Sequence, residues 1–251
     1  KELEDVGRSM YLYFPNQERR TPWKRRCVTI LRDGTDEASV RAVMEAAGLA
    51  ELAEEYGIIF SFPNALEAEW NYDFSGETDE IGAFLAFQDA CAKEDNLPLA
   101  CNAMGIPTRQ AMLSVWHPMY DTRYLIGLGS GAHMACTLAA CSPANIAAVF
   151  ALGGKLCEAA RQRAVGAAVP ICLTGSDRAT RNYFQVGNET DASAEQGGWM
   201  VASCSRNPLQ RVMVREEETT LTKELFLEVW SRLMLPVRRT NTSVYGDVEP
   251  G

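Results

Sequence analysis

The clearest chemical pattern in this chain lies in residues 124–140, which read YLIGLGSGAHMACTLAA. Apolar residues lead into Gly127, Gly129 and Gly131, and an alanine-rich segment with helical character follows. The pattern predicts a strand, a tight turn and a helix. In the motif G-x-S-x-G, the same architecture raises a nucleophilic serine above the sheet. The central residue here is glycine, and Ser130 comes one place later.

A nucleophilic Ser130 would require a general base, and the chain has two histidines. His133 lies three residues further on, where we expect it to point along the surface of the predicted helix. His117 stands beside Asp121 in WHPMYDTR and becomes the candidate base if this loop folds over the turn. All three residues also have a structural interpretation, in which Ser130 caps the helix and the histidines make local hydrogen bonds.

The glycine-rich turn allows two further interpretations that need no nucleophile. Gly127, Gly129 and Ala132 fit the dinucleotide pattern G-x-G-x-x-A, but the next strand ends FALGGKLCE and lacks the acidic residue that holds the ribose. Alternatively, three glycines before a helix present N–H groups and a positive dipole end, which suit a small carboxylate or another anion. We therefore expect no cofactor, and an anion-binding turn formed by Gly127, Gly129 and Gly131.

Composition and charge argue against several classes of function. The 251 residues carry a formal net charge of −9 and only short basic runs, which argues against a nucleic-acid partner. No apolar run reaches the roughly 18 residues that a membrane helix needs, so no membrane partner is expected. The two histidines have no neighbours at ligand spacing, so we expect no metal site.

The cysteines bear on the cellular compartment. Eight cysteines without a C-x-x-C pair, most of them in apolar segments such as VPICLTG, indicate buried free thiols rather than disulfides. Free thiols favour a cytoplasmic location for the protein, although a secreted protein stays open as an alternative. The charged first residues, KELEDVGRSM, match neither a signal peptide nor a natural start, so we expect a processed end or a piece of a longer chain.

Strands and helices alternate along the chain, and 47% of its residues are hydrophobic and available for a core. This order predicts an α/β fold with a mostly parallel sheet covered by helices on both faces. Residues 1–235 form the predicted domain, and residues 236–251 form a linker-like tail. Besides the strand and helix around Gly129, the predicted strands are 9–14 (at an edge), 26–31, 58–64, 147–152, 169–175 and 210–216, and the predicted helices are 35–57, 77–95, 107–116, 155–164 and 222–234.

The order of these segments resembles the polyhydroxybutyrate depolymerase and feruloyl-esterase-like branch of the α/β-hydrolases. The resemblance covers residues 9–235 and rests on MYLYFP, AAGLAELAEEYGIIFSFPNALEAEWNYD, TDEIGAFLAFQDA, YLIGLGSGAHMACTLAACSPANIAAVFALGG and VPICLTGSD in this order. It implies an α/β-hydrolase fold with the nucleophile position on Gly129, where the family's serine is missing. It also places the oxyanion segment on LRDGTD, where Arg32, Asp33 and Gly34 replace the usual His-Gly pair.

The resemblance assigns three further positions. The acid of the catalytic triad falls on Asp177 in TGSD. The base should follow the last strand, where the chain has glutamates at 216–218 and no histidine beyond His133. Trp70 matches the family's WN turn near the substrate cleft, and it is equally explained as an aromatic residue that closes the edge of the core.

These substitutions predict a catalytically degenerate esterase-like domain with a binding or scaffolding role. Acyl transfer needs a nucleophile activated by an oriented base, and glycine supplies none. The expected partners are a small carboxylate or ester ligand, and a second hydrolase-like domain or another copy in a homo-oligomer. The alternative is an active serine esterase on small acyl or aryl esters, with Ser130 as nucleophile, His117 as base and Asp177 as acid. Whether the chain is an enzyme stays open at this point.

Overall fold

The central element of the structure is a large twisted sheet. The structure is a computed structural model that describes residues 9–13, 15, 26–76, 79–92, 123–144, 146–239 and 248–250. Within these ranges, nine strands form this sheet in the order β1-β3-β2-β4-β5-β6-β9-β8-β7, and two further strands pair separately. The strands are β1 (Met10–Tyr13), β2 (Arg26–Leu31), β3 (Ile58–Pro63), β4 (Arg123–Leu128), β5 (Ile146–Leu152), β6 (Ile171–Thr174), β7 (Ala192–Gln196), β8 (Trp199–Ser203), β9 (Arg211–Arg215), β10 (Val237–Arg239) and β11 (Val248–Pro250).

Helices cover both faces of this sheet, because two separate apolar clusters are buried against it. One cluster includes Leu52 and Phe226, and the other includes Leu138 and Phe184. The helices in the described ranges are α1 (Glu37–Ala46), α2 (Leu49–Tyr56), α3 (Glu80–Ala92), α4 (Ser130–Cys141), α5 (Glu158–Arg163), α6 (Arg178–Gly187) and α7 (Lys223–Val229), which continues as a π-helical turn over Trp230–Met234.

The centre of the sheet is parallel, as predicted. Strands β3, β2, β4, β5, β6 and β9 run in one direction, and β1 adds to the β3 edge in the antiparallel direction. Every residue of β5 is buried, as expected for a strand that has helices on both faces. The sequence-based expectation of a mostly parallel α/β sheet with an edge strand at the N-terminal end is therefore confirmed.

The predicted helix over residues 35–57 is two helices in the structure. Asp36 caps α1 by accepting a hydrogen bond from the Ser39 N–H at 2.8 Å, in agreement with the predicted start. The helix then ends at Ala46 with Ala47 as its C-cap, and Gly48 adopts a left-handed φ of 57° before α2 begins. The left-handed conformation, which glycine adopts at little cost, divides the apolar pattern into two shorter helices.

The sequence analysis missed α6 and the β7–β8 hairpin. Gly197 and Gly198 form the hairpin turn with φ values of 60° and 78°, as a two-residue turn with two positive φ angles requires. The hairpin extends the sheet beyond β9 in the antiparallel direction. The GG pair was the available signal for this turn.

The tail predicted as linker-like, residues 236–251, contains β10 and β11, which pair with each other in the antiparallel direction. Val237 is buried, and its carbonyl oxygen accepts a hydrogen bond from the Tyr124 hydroxyl at 2.7 Å. The predicted helix 107–116 lies outside the described residues. Among the helices that the structure describes, none combines the length and the hydropathy needed to cross a lipid bilayer.

Candidate functional site

The turn between β4 and α4 has the geometry of a sharp strand-to-helix elbow. Gly129, at its centre, has a φ of 59° and a ψ of −132°, a backbone conformation that side-chain-bearing residues rarely adopt. A Cβ atom on Gly127 would stand 2.8 Å from the Ala132 nitrogen, and one on Gly131 would stand 2.8 Å from the Arg32 nitrogen. These two glycines therefore allow α4 to pack directly on its own strand and on the end of β2.

Ser130 is the first residue of α4 and is held in place by three hydrogen bonds. Its hydroxyl donates to Asp33 Oδ1 at 2.5 Å, and its backbone N–H donates to the same oxygen at 3.0 Å. The Trp70 backbone N–H donates to Ser130 Oγ at 2.7 Å. Only 8% of the Ser130 surface is exposed, so the hydroxyl is enclosed by the elbow and by the two loops that face it.

Asp33 covers the centre of the elbow. A Cβ atom on Gly129 would stand 2.8 Å from Asp33 Cγ and closer still to Asp33 Oδ2, so no side chain fits at position 129 while Asp33 keeps this position. The Asp33 carboxylate also lies at the N-terminus of α4, where the helix dipole favours a negative charge. An internal carboxylate thus lies at the turn where the sequence analysis expected an external anion to bind.

The loop after β2 is fixed by a buried arginine. The Arg32 guanidinium donates to the carbonyl oxygens of Gly34 (2.6 Å) and Asp36 (3.3 Å) and to Asn64 Oδ1 (3.1 Å). Burial lowers the pKa of the Arg32 side chain. The Gly34 N–H in turn donates to the Ala68 carbonyl at 2.8 Å. The loop therefore has a defined shape that holds Asp33 over the elbow.

Trp70 lies in the core beside this loop and is only 2% exposed. Its indole N–H donates to the Arg32 carbonyl at 2.9 Å, and its ring packs edge-on against Phe84 with the ring centroids 5.5 Å apart. The Trp70 side chain thus anchors the loop after β2, while its backbone N–H reaches Ser130.

The predicted triad acid, Asp177, caps α6. Its Oδ1 accepts a hydrogen bond from the Thr180 N–H at 2.7 Å. Desolvation alone would raise the pKa of Asp177, but the hydrogen bonds from Thr180 outweigh it and hold the pKa below its usual value. Among the described residues, no hydrogen bond joins Asp177 to a histidine.

His133 is engaged elsewhere on the surface of α4. Its Nδ1 accepts a hydrogen bond from the Lys155 N–H at 2.9 Å, and its ring contacts Tyr72 with a centroid separation of 4.5 Å. Partial burial lowers the pKa of His133. His117 and Asp121 lie outside the described residues, so the structure does not place the second candidate base.

The loop after β9, where the resemblance expects the base, carries glutamates in this chain. Glu216 forms an ion pair with Arg181 at 2.9 Å, and Glu218 packs against Gly175. The loop then runs through Thr219 and Thr220 to Leu221, which is buried. Within the described ranges, no three His, Cys, Asp or Glu residues converge as a metal site.

A cavity of ≈ 380 Å³ lies beside the elbow and was not predicted from the sequence. It is bounded by α1, by the ends of β4 and β5 and by the loop after β9, and it opens to solvent at the exposed Ala42, Gly129 and Thr220. Its wall is mostly apolar, and the lining residues are Ala42, Val43, Ala46, Leu128, Gly129, Leu152, Thr219, Thr220 and Leu221.

The sheet order and the elbow can be compared with solved structures. The acetyl xylan esterase from Aspergillus awamori is similar over 84% of this chain and 88% of its own, with a TM-score of 0.53 and 13% sequence identity. This chain has the α/β-hydrolase fold. A thermostable esterase matches 66% of this chain and 42% of its own, with a TM-score of 0.42 and 16% identity. No protein-family model and no curated protein matches the sequence.

In the α/β-hydrolase fold, the residue after the nucleophile and the loop before the first helix supply the oxyanion N–H groups. With Gly129 at the nucleophile position, as the resemblance implies, the Ser130 N–H would be the first of these groups, and it donates a hydrogen bond to Asp33 Oδ1. Of the sequence-predicted site residues, the structure brings together Gly129, Ser130 and the backbone of Trp70, whereas Asp177 caps a separate helix. Sequence reasoning missed the role of Asp33, because 97 residues separate it from Ser130 and no local pattern marks the contact.

Proposed function

We propose that this α/β-hydrolase-fold chain is an esterase relative that no longer catalyses acyl transfer and instead binds a small ligand beside the elbow. The observation that carries the proposal is the Asp33 carboxylate, which lies over Gly129 and accepts the Ser130 N–H. The order of segments over residues 9–235 supports the polyhydroxybutyrate depolymerase and feruloyl-esterase-like branch as its origin.

The chemistry of the elbow supports loss of acyl transfer on two counts. A glycine at the nucleophile position cannot form an acyl intermediate, and loss of the serine from such a triad costs about 10⁶ in kcat. In addition, a tetrahedral intermediate carries its negative charge on an oxygen that needs free N–H donors. The carboxylate of Asp33 engages one such donor and would repel that charge.

The cavity supports a binding role. An apolar, preformed cavity with a few polar groups at its edge is the usual form of a small-molecule site, and a volume of ≈ 380 Å³ lies at the small end of the range for such sites. A scaffolding role with a second hydrolase-like domain or another copy of the chain is compatible with the same loss of chemistry, and it remains part of the proposal.

One observation favours a second candidate, the active serine esterase that uses Ser130. The hydrogen bond from Ser130 Oγ to Asp33 Oδ1 (2.5 Å) gives this hydroxyl a carboxylate partner. In this alternative, His117 would have to approach Ser130 as the base, and the Ser130 hydroxyl would have to donate its proton to His117 instead of to Asp33 Oδ1.

Labelling with a fluorophosphonate probe distinguishes the two functions. The wild-type protein and Ser130→Ala are incubated with the probe, and the products are analysed by intact mass and peptide mapping. Loss of acyl transfer predicts no adduct on either protein, together with p-nitrophenyl acetate turnover equal to that of a heat-denatured sample. A stoichiometric adduct on Ser130 that is absent from the variant would establish the serine esterase instead.

A further inference from the structure

We infer that the cavity beside Gly129 takes a small ligand with an apolar body and a cationic ammonium group, and that the Asp33 carboxylate recognises the charge. This inference rests on the proposed binding role and names the ligand class. Catalytic esterase sites of this architecture direct N–H donors at a developing negative charge. In this chain the same place presents a negative charge to the solvent, so the electrostatic preference of the site is reversed.

The Asp33 carboxylate has one oxygen available for a ligand. Oδ1 accepts both hydrogen bonds from Ser130, whereas Oδ2 accepts none from the residues that the structure describes. Oδ2 is also the Asp33 atom nearest to the Cβ position of Gly129, and Gly129 forms part of the cavity wall. Asp33 itself does not line the cavity, but its Oδ2 lies over Gly129, which does, and a carboxylate oxygen there is a strong acceptor for the ammonium N–H of a ligand that extends past Gly129.

The two arginines closest in sequence to Asp33 direct their hydrogen bonds to other groups, and the Arg32 charge acts on Asp33 only through space. The Arg32 guanidinium is buried and directs its hydrogen bonds to the Gly34 and Asp36 carbonyls and to Asn64. Arg41, on the helix that lines the cavity, forms an ion pair with Glu37 one turn earlier. The chain as a whole carries a formal net charge of −9, which adds to the preference for cations.

A second polar residue, Thr219, belongs to the cavity lining. Thr219 Oγ1 is buried and has no hydrogen-bond partner among the described residues. A threonine hydroxyl accepts from an ammonium as readily as it donates to a carbonyl, and a change of χ1 redirects it. After such a change of χ1, this hydroxyl is a second polar group that a ligand in the cavity can engage.

The test compares three ligands that have the same chain length and different head groups: n-hexylamine, 1-hexanol and hexanoate at pH 7. Their affinities for the wild-type protein are measured by ligand-observed NMR and titration calorimetry. We expect the amine to bind about tenfold more tightly than the alcohol, because its ammonium group forms one partly exposed charge pair with the Asp33 carboxylate. Hexanoate should bind most weakly, because its carboxylate is repelled by Asp33. Equal affinities, a preference for hexanoate, or no binding of any of the three would overturn the inference.

Three variants test which residues produce the preference for the amine. Asp33→Asn keeps the acceptor and removes the charge, so the amine and the alcohol should then bind equally. Glu195→Gln removes one exposed charge from β7, five strands away from β4, and should leave the tenfold preference intact. Ala42→Phe, at an exposed position on α1, fills the cavity and should weaken all three ligands at least tenfold. An unchanged amine preference in Asp33→Asn would overturn the role of Asp33.

The ligand-binding experiment and the labelling experiment test the two proposals separately. Fluorophosphonate labelling of Ser130 would refute the loss of acyl transfer and would leave the measured ligand preference as it stands. Conversely, an unlabelled protein without an ammonium preference would refute this inference alone.

Discussion

Serine at position 129 should be destabilising because of Asp33. In Gly129→Ser, the new side chain imposes a strained φ of 59°, which costs roughly 2 kcal/mol. Its Cβ also stands where Asp33 lies, so the carboxylate must leave the two Ser130 hydrogen bonds, with a loss of roughly 2 kcal/mol after partial rehydration. The expected loss in the free energy of unfolding is therefore about 4 kcal/mol.

A double-mutant cycle with Asp33→Ala separates these contributions. In the Asp33→Ala background the steric conflict is gone, so Gly129→Ser should cost only the strain of about 2 kcal/mol, which leaves a coupling energy of about 2 kcal/mol. Gly153→Ser is the matched control, because Gly153 has a φ of 77° and a Cβ there would meet nothing within 4 Å. Its cost should be the same in both backgrounds.

The assay is urea unfolding followed by circular dichroism, with comparison restricted to variants of equal m-value. A coupling energy below about 0.5 kcal/mol between positions 33 and 129 would refute the reasoning, since independent sites are additive within that range. A coupling for Gly153→Ser as large as that for Gly129→Ser would refute it as well.

Three other predictions follow from the same geometry. Gly131→Ala should cost about 3 kcal/mol or more in urea unfolding, because its Cβ would press against the Leu31 backbone carbonyl, which cannot move without disturbing β2. Asp177→Ala should cost about 1 kcal/mol at pH 7 through loss of the cap on the Thr180 N–H. The pKa of Asp177 is lower in the folded than in the unfolded protein. The difference in the free energy of unfolding between wild type and Asp177→Ala should therefore persist above about pH 4 and disappear as the pH falls further. Urea unfolding of both proteins at pH 7, 5, 4, 3 and 2 measures it. Burial raises the pKa of the Cys141 thiol to about 11, so its reaction with iodoacetamide at pH 8 should be at least tenfold slower than in the urea-unfolded protein, as peptide mapping can measure.

The sequence was sufficient where a local pattern determines the structure. The apolar run RCVTIL is β2 with the predicted bounds, and the glycines at 127, 129 and 131 form the strand-to-helix turn. Gly48 shows the limit of periodicity, because one left-handed residue divided a continuous helical pattern. Helix α6 was missed because its sequence, RATRNYFQVG, contains few apolar residues, although these lie on one face of the helix and Asp177 was available as a capping signal.

The chemistry of the candidate site could not be predicted because it depends on distant contacts. The sequence showed Arg32, Asp33 and Gly34 where the resemblance implies a His-Gly pair, but it did not show where the Asp33 side chain points. That direction is set by the buried Arg32 and by the elbow that β4 brings alongside β2. The cavity likewise joins α1 to the loop after β9, two segments that have no common sequence pattern.

The mutual exclusion of Asp33 and a side chain at position 129 has a consequence for the evolution of this fold. The two positions are epistatic, so the order in which they change matters. On the values given above, acquiring serine at 129 costs about 4 kcal/mol in one step while Asp33 is present and about 2 kcal/mol once its carboxylate is gone. Homologues that carry serine at this elbow gain no stability from an acidic residue at the position of Asp33, and we expect them to lack one. The opposite pair, glycine at the elbow with an acidic residue in the loop, then defines a sequence signature by which chains of this kind can be recognised.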